Sequence, residues 1–430
     1  MTIRRACPLQ FVAVPRAGLS LLAGVLVLAA ACDDPPSRSA APAPPDEWHS
    51  EPHHRIGDAL SGDALFGIVP YLRVNPGDGR VFVLEAYDSR LSVWTPSGEH
   101  LFSLGRSGEG PGDFMMPYRV HFEDSRFYVR DQSRFTYFSN SGTLLETVPG
   151  PPTSVSYQGF PLRIDALTAD GSFLGRPTMG AHVELGMHGH DPIDSLPVFS
   201  VRESAGGWVR DVVYWHDIRT RDFALYYGNW LTFPGQPFSV ADQYRLDPGA
   251  GTVLVAWVVG EHLGPGEAEL TELSAVADGV RFVGDTVWHR RLAFEPIPLT
   301  PALVEAAIDR MLEGLAAPED PEDEGEDPVA VRESARGDIR KSIHVPEHLP
   351  AVRRLSMASS GQVWLLSHET VDTLNVWYSV ERGDNESPPR RVLLPDWLVL
   401  LDATDTHVWG VWRDELDINY VVGRRLVPRP

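Results

Sequence analysis

Cysteine is nearly absent from this 430-residue chain. The only two, Cys7 and Cys32, lie within the first 32 residues, so the rest of the chain has no disulfide framework and depends on core burial. Clusters of lysine and arginine are also lacking, and the formal net charge is −22. A protein that binds a polyanion needs a basic face, so we expect no nucleic-acid partner.

Several catalytic motifs are missing as well. No Gly-x-Ser-x-Gly sequence occurs, so serine-hydrolase chemistry has no support. The glycine-rich stretch 105–114 has no Gly-Lys-Ser/Thr after it and no predicted helix behind it, which excludes a P-loop and a dinucleotide fingerprint. Its glycines are better explained by close chain crossings and positive φ angles. We predict no organic cofactor.

Residues 1–31 have the features of an export signal. Arg4 and Arg5 precede an apolar run at 17–31, which is short for a bilayer span. The run ends directly before Cys32 and resembles the lipobox of bacterial lipoproteins, although Ala29 stands where that family usually has leucine. The resemblance implies cleavage before Cys32 and lipidation of its thiol. The alternative is an ordinary signal peptide with an incidental cysteine. Removing the signal's three arginines would take the charge from −22 to −25.

Residues 32–55 are predicted to be a lipidated flexible tether. The stretch 33–48 is rich in Pro, Ala and Ser and cannot bury a core. His49, His53 and His54 are accordingly interpreted as exposed tether residues. The lipid anchor predicts a location in the cell envelope, facing the periplasm or the exterior. An Asp-Asp pair after the cysteine resembles an inner-membrane retention signal, but this rule differs between phyla, so the choice of membrane stays open.

Two similar segments, 80–104 and 126–148, open the main body. Ser97-Gly98 in the first corresponds to Ser141-Gly142 in the second, 44 residues later. Each copy has short apolar runs separated by polar turns, which indicates antiparallel hairpins. A period in the forties with about four strands per unit is typical of propeller blades. We therefore predict an all-β propeller, with strands near 56–70 joining strands near 408–427 to close the ring.

One segment breaks the β pattern. Thr300 is a suitable N-cap, Pro301 suits the first helical position, and apolar residues recur on one face over 300–315. The acidic, proline-rich stretch 317–328 follows and is not expected to pack. We interpret 297–345 as a helical and acidic insertion.

The chain resembles the bacterial six-bladed β-propeller lipoproteins, which are similar to NHL-repeat propellers. The resemblance lies in the glycine-rich loop 105–114 followed by Pro117, the late helical insertion, the segment 350–364, and the sequences at 408–410 and 420–422. It implies six blades of four antiparallel strands over residues 56–430. The molecular activity of that family is largely undefined, so the resemblance implies architecture more than function.

The densest group of titratable residues lies at 182–191. His182, His188, His190 and Asp191 are weak candidates for a divalent metal site, but their spacing matches no zinc signature. A solvated loop is the alternative that we favour. Seven tryptophans recur near predicted strands, either in the core or as a carbohydrate-stacking face; they are Trp94, Trp208, Trp257, Trp288, Trp364, Trp409 and Trp412.

The leading functional hypothesis is a membrane-anchored, non-enzymatic scaffold that binds a protein, peptide or glycan on the rigid disc. The alternative is a metal-dependent, lactonase- or lyase-like enzyme with its site in the central channel. A degenerate propeller that only supports an envelope complex is a third possibility. The enzyme requires histidines and carboxylates from several blades to converge at the axis, and retained zinc or calcium would favour it.

Overall fold

The computed structural model describes residues 47–57, 65–67, 69, 71–132, 134–178, 194–227, 230–260, 262–315 and 328–429. These residues belong to one compact unit. The export signal, Cys32 and the four metal candidates between His182 and Asp191 lie outside the described residues, so their assignments stay predictions. None of the described helices is long and apolar enough to cross a membrane.

The described residues form an all-β, propeller-like arrangement of successive antiparallel sheets. Sheet 1 contains β2 (Tyr71–Val74), β3 (Val81–Glu85), β4 (Arg90–Trp94) and β5 (His100–Leu104). Sheet 2 contains β6 (Pro117–Phe122), β7 (Arg126–Asp131), β8 (Arg134–Ser139) and β9 (Leu144–Pro149). Sheet 3 contains β10 (Ser156–Tyr157), β11 (Phe160–Leu167), β12 (Phe173–Pro177), β13 (Ser195–Ser204) and β14 (Gly207–Asp217). Sheet 4 contains β17 (Gln243–Asp247), β18 (Thr252–Trp257), β19 (Glu267–Ser274) and β20 (Thr286–Ala293).

Sheet 5 has eight strands. Its first half contains β21 (Arg354–Met357), β22 (Val363–Val371), β23 (Leu374–Val380) and β24 (Arg390–Pro395). Its second half contains β25 (Val399–Ala403), β26 (His407–Arg413), β27 (Asn419–Pro428) and β1 (Glu47–Ile56). The halves meet where β1 runs parallel to β24 over three residue pairs, and every other pairing in the sheet is antiparallel. A separate hairpin contains β15 (Leu225–Tyr227) and β16 (Trp230–Thr232).

The two predicted repeat copies form the last three strands of sheets 1 and 2. Their Ser-Gly turns lie between β4 and β5 and between β8 and β9. Gly98 and Gly142 have φ angles of +93° and +86°, a left-handed conformation that favours glycine. The turn residues identified in the sequence therefore mark real hairpins.

Buried hydrophobic clusters lie between neighbouring sheets and alternate with them around the unit. Typical members are Phe82 and Phe127 between sheets 1 and 2, Phe135 and Phe173 between 2 and 3, Val198 and Val255 between 3 and 4, Leu270 and Leu365 between 4 and the first half of 5, Trp377 and Val408 between the halves, and Ile56 and Val81 between the second half and sheet 1. Each such side chain contributes roughly 1.5–3 kcal/mol on burial. Sheet-to-sheet packing thus replaces the missing disulfides.

The N-terminal and C-terminal strands pair with each other, as predicted, but the pairing begins earlier in the chain. β1 runs antiparallel to β27, from Trp48 opposite Pro428 to Ile56 opposite Val421. Residues 47–55, which the sequence analysis placed in the tether, are therefore part of the sheet. The proline-rich composition of the preceding stretch concealed this strand.

The predicted helix is present as α1 (Pro301–Gly314), and Thr300 Oγ1 accepts a hydrogen bond from the Leu303 backbone N–H at its start. A second helix, α2 (Pro328–Ser342), was not predicted. Ile308 on α1 and Ile339 on α2 are buried against each other and against the β15–β16 hairpin.

Candidate functional site

Two adjoining cavities, of about 440 and 290 Å³, lie where one strand from each of several sheets converges. We call these strands, β2, β6, β11, β17 and β21, the leading strands. They share Arg119, Asp165 and Leu246 in their linings. Further lining residues come from β2, β11, β17 and β21 or from the loops beside them. We call the two together the central cavity.

Arginine dominates the central cavity. Seven arginines line it: Arg73, Arg119, Arg176, Arg221, Arg245, Arg353 and Arg382. Among the described residues, the lining contains three carboxylates: Asp165, Asp242 and Asp247. A chain with a net charge of −22 therefore has a cationic interior, which composition alone did not reveal.

Some of these arginines are neutralised by carboxylates. Arg176 Nε lies 3.2 Å from Asp165 Oδ2. Arg382 is paired with Asp247 and with Glu272. The first pair lies within sheet 3, whereas the contacts of Arg382 join sheet 5 to sheet 4. Part of the cationic lining therefore has a structural role.

Arg73 connects sheet 1 to the neighbouring second half of sheet 5. Its NH1 atom lies 3.3 Å from Asp402 Oδ1 and donates to the Met357 carbonyl oxygen at 2.8 Å. The buried Asp402 carboxylate also accepts from the backbone N–H of Val74 at 2.6 Å and of Ser359 at 2.7 Å. Asp402 therefore connects sheet 1 with both halves of sheet 5 and has a structural role.

Arg119, Arg245 and Arg353 remain without a carboxylate within 4.0 Å among the described residues. Burial, together with repulsion from Arg119, Arg354 and Arg73, lowers the pKa of the Arg245 guanidinium to about 10. Guanidinium groups from sheets 1, 2 and 4 and from the first half of sheet 5 are thus close enough to repel one another. An anion bound among them would relieve that repulsion.

A histidine–aspartate pair lies in the wall of the same cavity. His216, at the end of β14, has Nδ1 2.5 Å from Asp242 Oδ1. The Asp217 backbone N–H donates to the same oxygen at 3.0 Å. His216 is 8% exposed, and no described residue hydrogen-bonds to its Nε2. Burial raises the pKa of Asp242, although its bond to His216 opposes that shift.

This pair has the geometry of a general base. The carboxylate fixes the ring through Nδ1 and stabilises an imidazolium, which leaves Nε2 to exchange a proton with a bound molecule. Asp242 Oδ2 is buried without a hydrogen-bond partner. An unsatisfied carboxylate oxygen inside a protein is costly and is typical of a functional site.

His368, on β22, is a second histidine in the wall. Burial, together with the charges of Arg353 and Arg310, lowers the pKa of its imidazole to about 4. Its Nε2 is buried and has no partner among the described residues. Near neutral pH this ring is therefore uncharged.

The sequence carries a repeated pattern that includes three of the arginines in the lining, Arg73, Arg119 and Arg245. On leading strands of successive sheets an arginine precedes an aliphatic residue, and that residue lies in the core between sheets. The pairs are Arg73-Val74, Arg119-Val120, Arg163-Ile164, Arg245-Leu246 and Arg354-Leu355, with Asp402-Ala403 at the corresponding place in β25. One residue faces the core and its neighbour can reach the axis, because side chains alternate along a strand.

Four of the seven tryptophans lie in the core, and the other three are half-buried. Trp94, Trp288, Trp364 and Trp409 are all buried. Core packing, one of the two alternatives left by the sequence, accounts for these four.

No protein-family profile matches the chain, and no curated protein matches its sequence. Three solved structures illustrate its structural similarities. An exported protein of Bacteroides fragilis is 9% identical, with 89% of this chain and 99% of that one covered and a TM-score of 0.38. A calcium-binding protein, regucalcin, from Agrobacterium tumefaciens is 9% identical, with 89% and 97% covered and a TM-score of 0.35. A PQQ-bound aldose sugar dehydrogenase from Streptomyces coelicolor is 14% identical, with 90% and 100% covered and a TM-score of 0.35. Such low scores say nothing about function, and the fold is read from the strand pairing of this chain.

Proposed function

We propose that this chain is an extracytoplasmic propeller that binds a small carboxylate- or phosphate-bearing ligand in its central cavity. The observation that carries the proposal is that the half-buried Arg119 and Arg245 repel each other and line one cavity with the exposed Arg353, and that none of the three has a carboxylate within 4.0 Å among the described residues. Like charges that are partly removed from water destabilise a protein unless a counter-charge is supplied. Guanidinium groups match carboxylate and phosphate geometry through paired N–H donors. The proposal narrows the general binding scaffold predicted from the sequence to one class of ligand.

The cavity lining favours anion binding over metal-dependent catalysis. Asp165 and Asp247 are paired with arginines, and Asp242 is hydrogen-bonded to His216. Within the described chain, the one group of three metal-ligating residues with suitably close donor atoms does not line the cavity. The predicted convergence of free carboxylates and histidines at the axis therefore lacks support among these residues.

Six blades remain part of the proposal. The parallel contact between β1 and β24 covers only residues 47–49 and 391–393, whereas each half of sheet 5 is a four-stranded antiparallel set. Treating the halves as two blades gives one hydrophobic cluster for every blade-to-blade interface. In this view β1 completes the last blade as its outer strand, and the ring has no open edge.

The membrane anchor likewise belongs to the proposal and rests on the sequence before Cys32. We expect labelled fatty acid to be incorporated into the wild-type protein and not into Cys32→Ser. Incorporation into both proteins, or into neither, would contradict lipidation at this residue.

Calorimetric titration with citrate and pyrophosphate tests ligand binding, with glucose as the uncharged probe. Arg245→Gln should weaken binding of the anions at least tenfold, which is about 1.4 kcal/mol. Arg413→Gln is the matched control, because its guanidinium is 62% exposed and pairs with an exposed aspartate. Equal binding by both variants, or no anion binding by the wild type, would refute the proposal.

The His216–Asp242 pair supports a second candidate function, acid–base catalysis on an anionic substrate. Chromogenic 4-nitrophenyl esters and phosphates with an additional carboxylate are suitable probes. His216→Gln should abolish turnover while citrate still binds, because the arginines remain. Turnover that persists in His216→Gln would exclude this histidine as the general base.

A further inference from the structure

Three histidines meet on the strands that join the two ends of the described chain. His53 and His54 lie on β1, and His407 lies on β26, with β27 between the two strands. One ring nitrogen from each residue lies within 4.8 Å of the others. His407 Nε2 and His53 Nδ1 are 2.7 Å apart. We call this group the histidine triad.

Adjacent residues of a strand normally face opposite sides, so the pairing of His53 with His54 needs an explanation. The register between β1 and β27 shifts at this point: Pro52 lies opposite Arg424, whereas His54 lies opposite Gly423. His53 is therefore an extra residue in β1, and such a bulge redirects side chains. As a result the two rings have centroids only 3.9 Å apart.

His54 is held by a stack of aromatic rings. Its ring is nearly parallel to that of Trp409, at an angle of 4° and a centroid distance of 5.6 Å. Gly423 lies between them on β27, and a Cβ atom there would come within 2.8 Å of the tryptophan ring. The missing side chain thus allows the histidine and the tryptophan to meet.

His407 is oriented by its sequence neighbour. The Thr406 hydroxyl oxygen lies 2.9 Å from His407 Nδ1, which leaves Nε2 facing His53. Partners on the second ring nitrogen fix the orientation of metal-binding histidines in many proteins. Two of the three rings are thus positioned before any ion arrives.

A free cation close to the triad would disfavour a second positive charge there. Arg425, the nearby cation, has its guanidinium 3.1 Å from the Glu51 carboxylate and is neutralised by it.

We propose that His53, His54 and His407 bind one Zn²⁺ ion and thereby fasten β1 to the C-terminal strands. Three imidazoles and a water molecule form a tetrahedral zinc site with nitrogens at about 2.0–2.1 Å. Two ligands of such a site lie about 3.3 Å apart. The His53 and His407 nitrogens, 2.7 Å apart, must therefore separate by about 0.6 Å, and donor atoms as far apart as 4.8 Å must approach by about 1.5 Å. His53 is exposed and can make this adjustment. The ion would connect two strands that come from opposite ends of the described chain.

Zinc titration of the purified full chain, stripped with EDTA and carrying no histidine tag, tests this site. Competition with a colorimetric chelator should give one tight Zn²⁺ per chain and an increase in Tm on binding. Co²⁺ in place of zinc should give the intense visible bands of tetrahedral coordination. His53→Gln and His407→Gln should each weaken zinc binding at least tenfold.

His49→Gln is the matched control, because His49 lies on the same strand, is partly exposed, and contacts Glu51 rather than the triad. It should bind zinc as the wild type does. His53→Gln should fold as the wild type does, because this exposed side chain contributes little to the core, so a loss of zinc binding in this variant does not come from misfolding. Absence of tight zinc binding would overturn the proposal, and so would binding that survives both triad variants or is lost equally in His49→Gln.

Discussion

Replacing Arg245 with glutamine should affect the empty and the ligand-bound protein in opposite ways. A guanidinium pKa lowered from its ordinary value to about 10 corresponds to roughly 3 kcal/mol against the charged form. Because Arg245 is partly exposed, solvent screening reduces this cost to about 1–2 kcal/mol. The lost hydrogen bond from Arg245 NH1 to the Tyr244 carbonyl, 2.7 Å long, offsets about 1 kcal/mol. The free energy of unfolding of the empty protein should therefore stay constant or rise by up to about 1 kcal/mol.

The bound protein should show the reverse. A ligand stabilises the native state in proportion to the logarithm of its concentration over its Kd. A tenfold loss of citrate affinity therefore removes about 1.4 kcal/mol of ligand-induced stabilisation. Urea unfolding of the wild type, Arg245→Gln and Arg413→Gln, with and without citrate, measures both quantities. Raising the salt concentration should reduce the difference between the first two proteins without citrate, because salt screens the repulsion.

Two results would refute this reasoning. If Arg245→Gln destabilises the empty protein by about 2 kcal/mol or more, Arg245 is a structural residue, because such a loss is typical of removing a group that the fold requires. If citrate stabilises all three proteins equally, the arginines do not form its site. Arg413→Gln separates either outcome from a general effect of lowering the positive charge.

Three further predictions concern stability, each measured as a shift in the urea midpoint. Gly105→Ala should lower the free energy of unfolding by roughly 3 kcal/mol, because a Cβ there would come within 2.2 Å of the Phe114 ring at a φ of +83°. Gly159→Ala is the control, because Gly159 has a φ of +90° and open space around it. It should show only the backbone penalty of about 1 kcal/mol. Asp402→Ala should cost about 3–5 kcal/mol, because it leaves buried donors and a cation without their shared acceptor, and a loss below 1 kcal/mol would contradict that role. His368 takes up a proton more readily when unfolded, so stability should fall as the pH drops from 6.5 to about 4, and His368→Gln should flatten that slope.

Most of the sheet structure was predictable because its signals are local. Hairpin turns at Gly98 and Gly142 follow from glycine in Ser-Gly pairs, and α1 follows from its cap and apolar face. α2 was not predicted because the acidic, proline-rich stretch before it indicates a segment that does not pack. Val331, Ala335 and Ile339 do recur at helical spacing, and Arg336 pairs with Asp309 of α1 at 2.5 Å. That ion pair is visible only after the two helices are placed side by side.

The candidate cavity was not predictable in the same way. Arg73, Arg119 and Arg245 come from three sheets far apart in sequence, and each is an isolated basic residue in an acidic chain. The sequence therefore shows no basic cluster that would indicate the cavity. The repeated pattern of an arginine before a buried aliphatic residue marks leading strands, but its meaning depends on knowing that those strands converge. His216 and Asp242 likewise lie in different elements and approach only in the folded chain.

The position of the histidine triad changes how a metal measurement must be interpreted. From the sequence, retained zinc was expected to favour a catalytic metal in the channel over a binding scaffold. The triad lies on β1 and β26, whereas the central cavity is lined by the leading strands and their loops. Zinc bound at the triad would be compatible with either function. Stoichiometry alone therefore cannot distinguish the two functions, whereas the zinc content of His407→Gln can. Zinc that survives this substitution is bound at another site. Zinc that is lost while citrate binding stays intact is independent of the cavity.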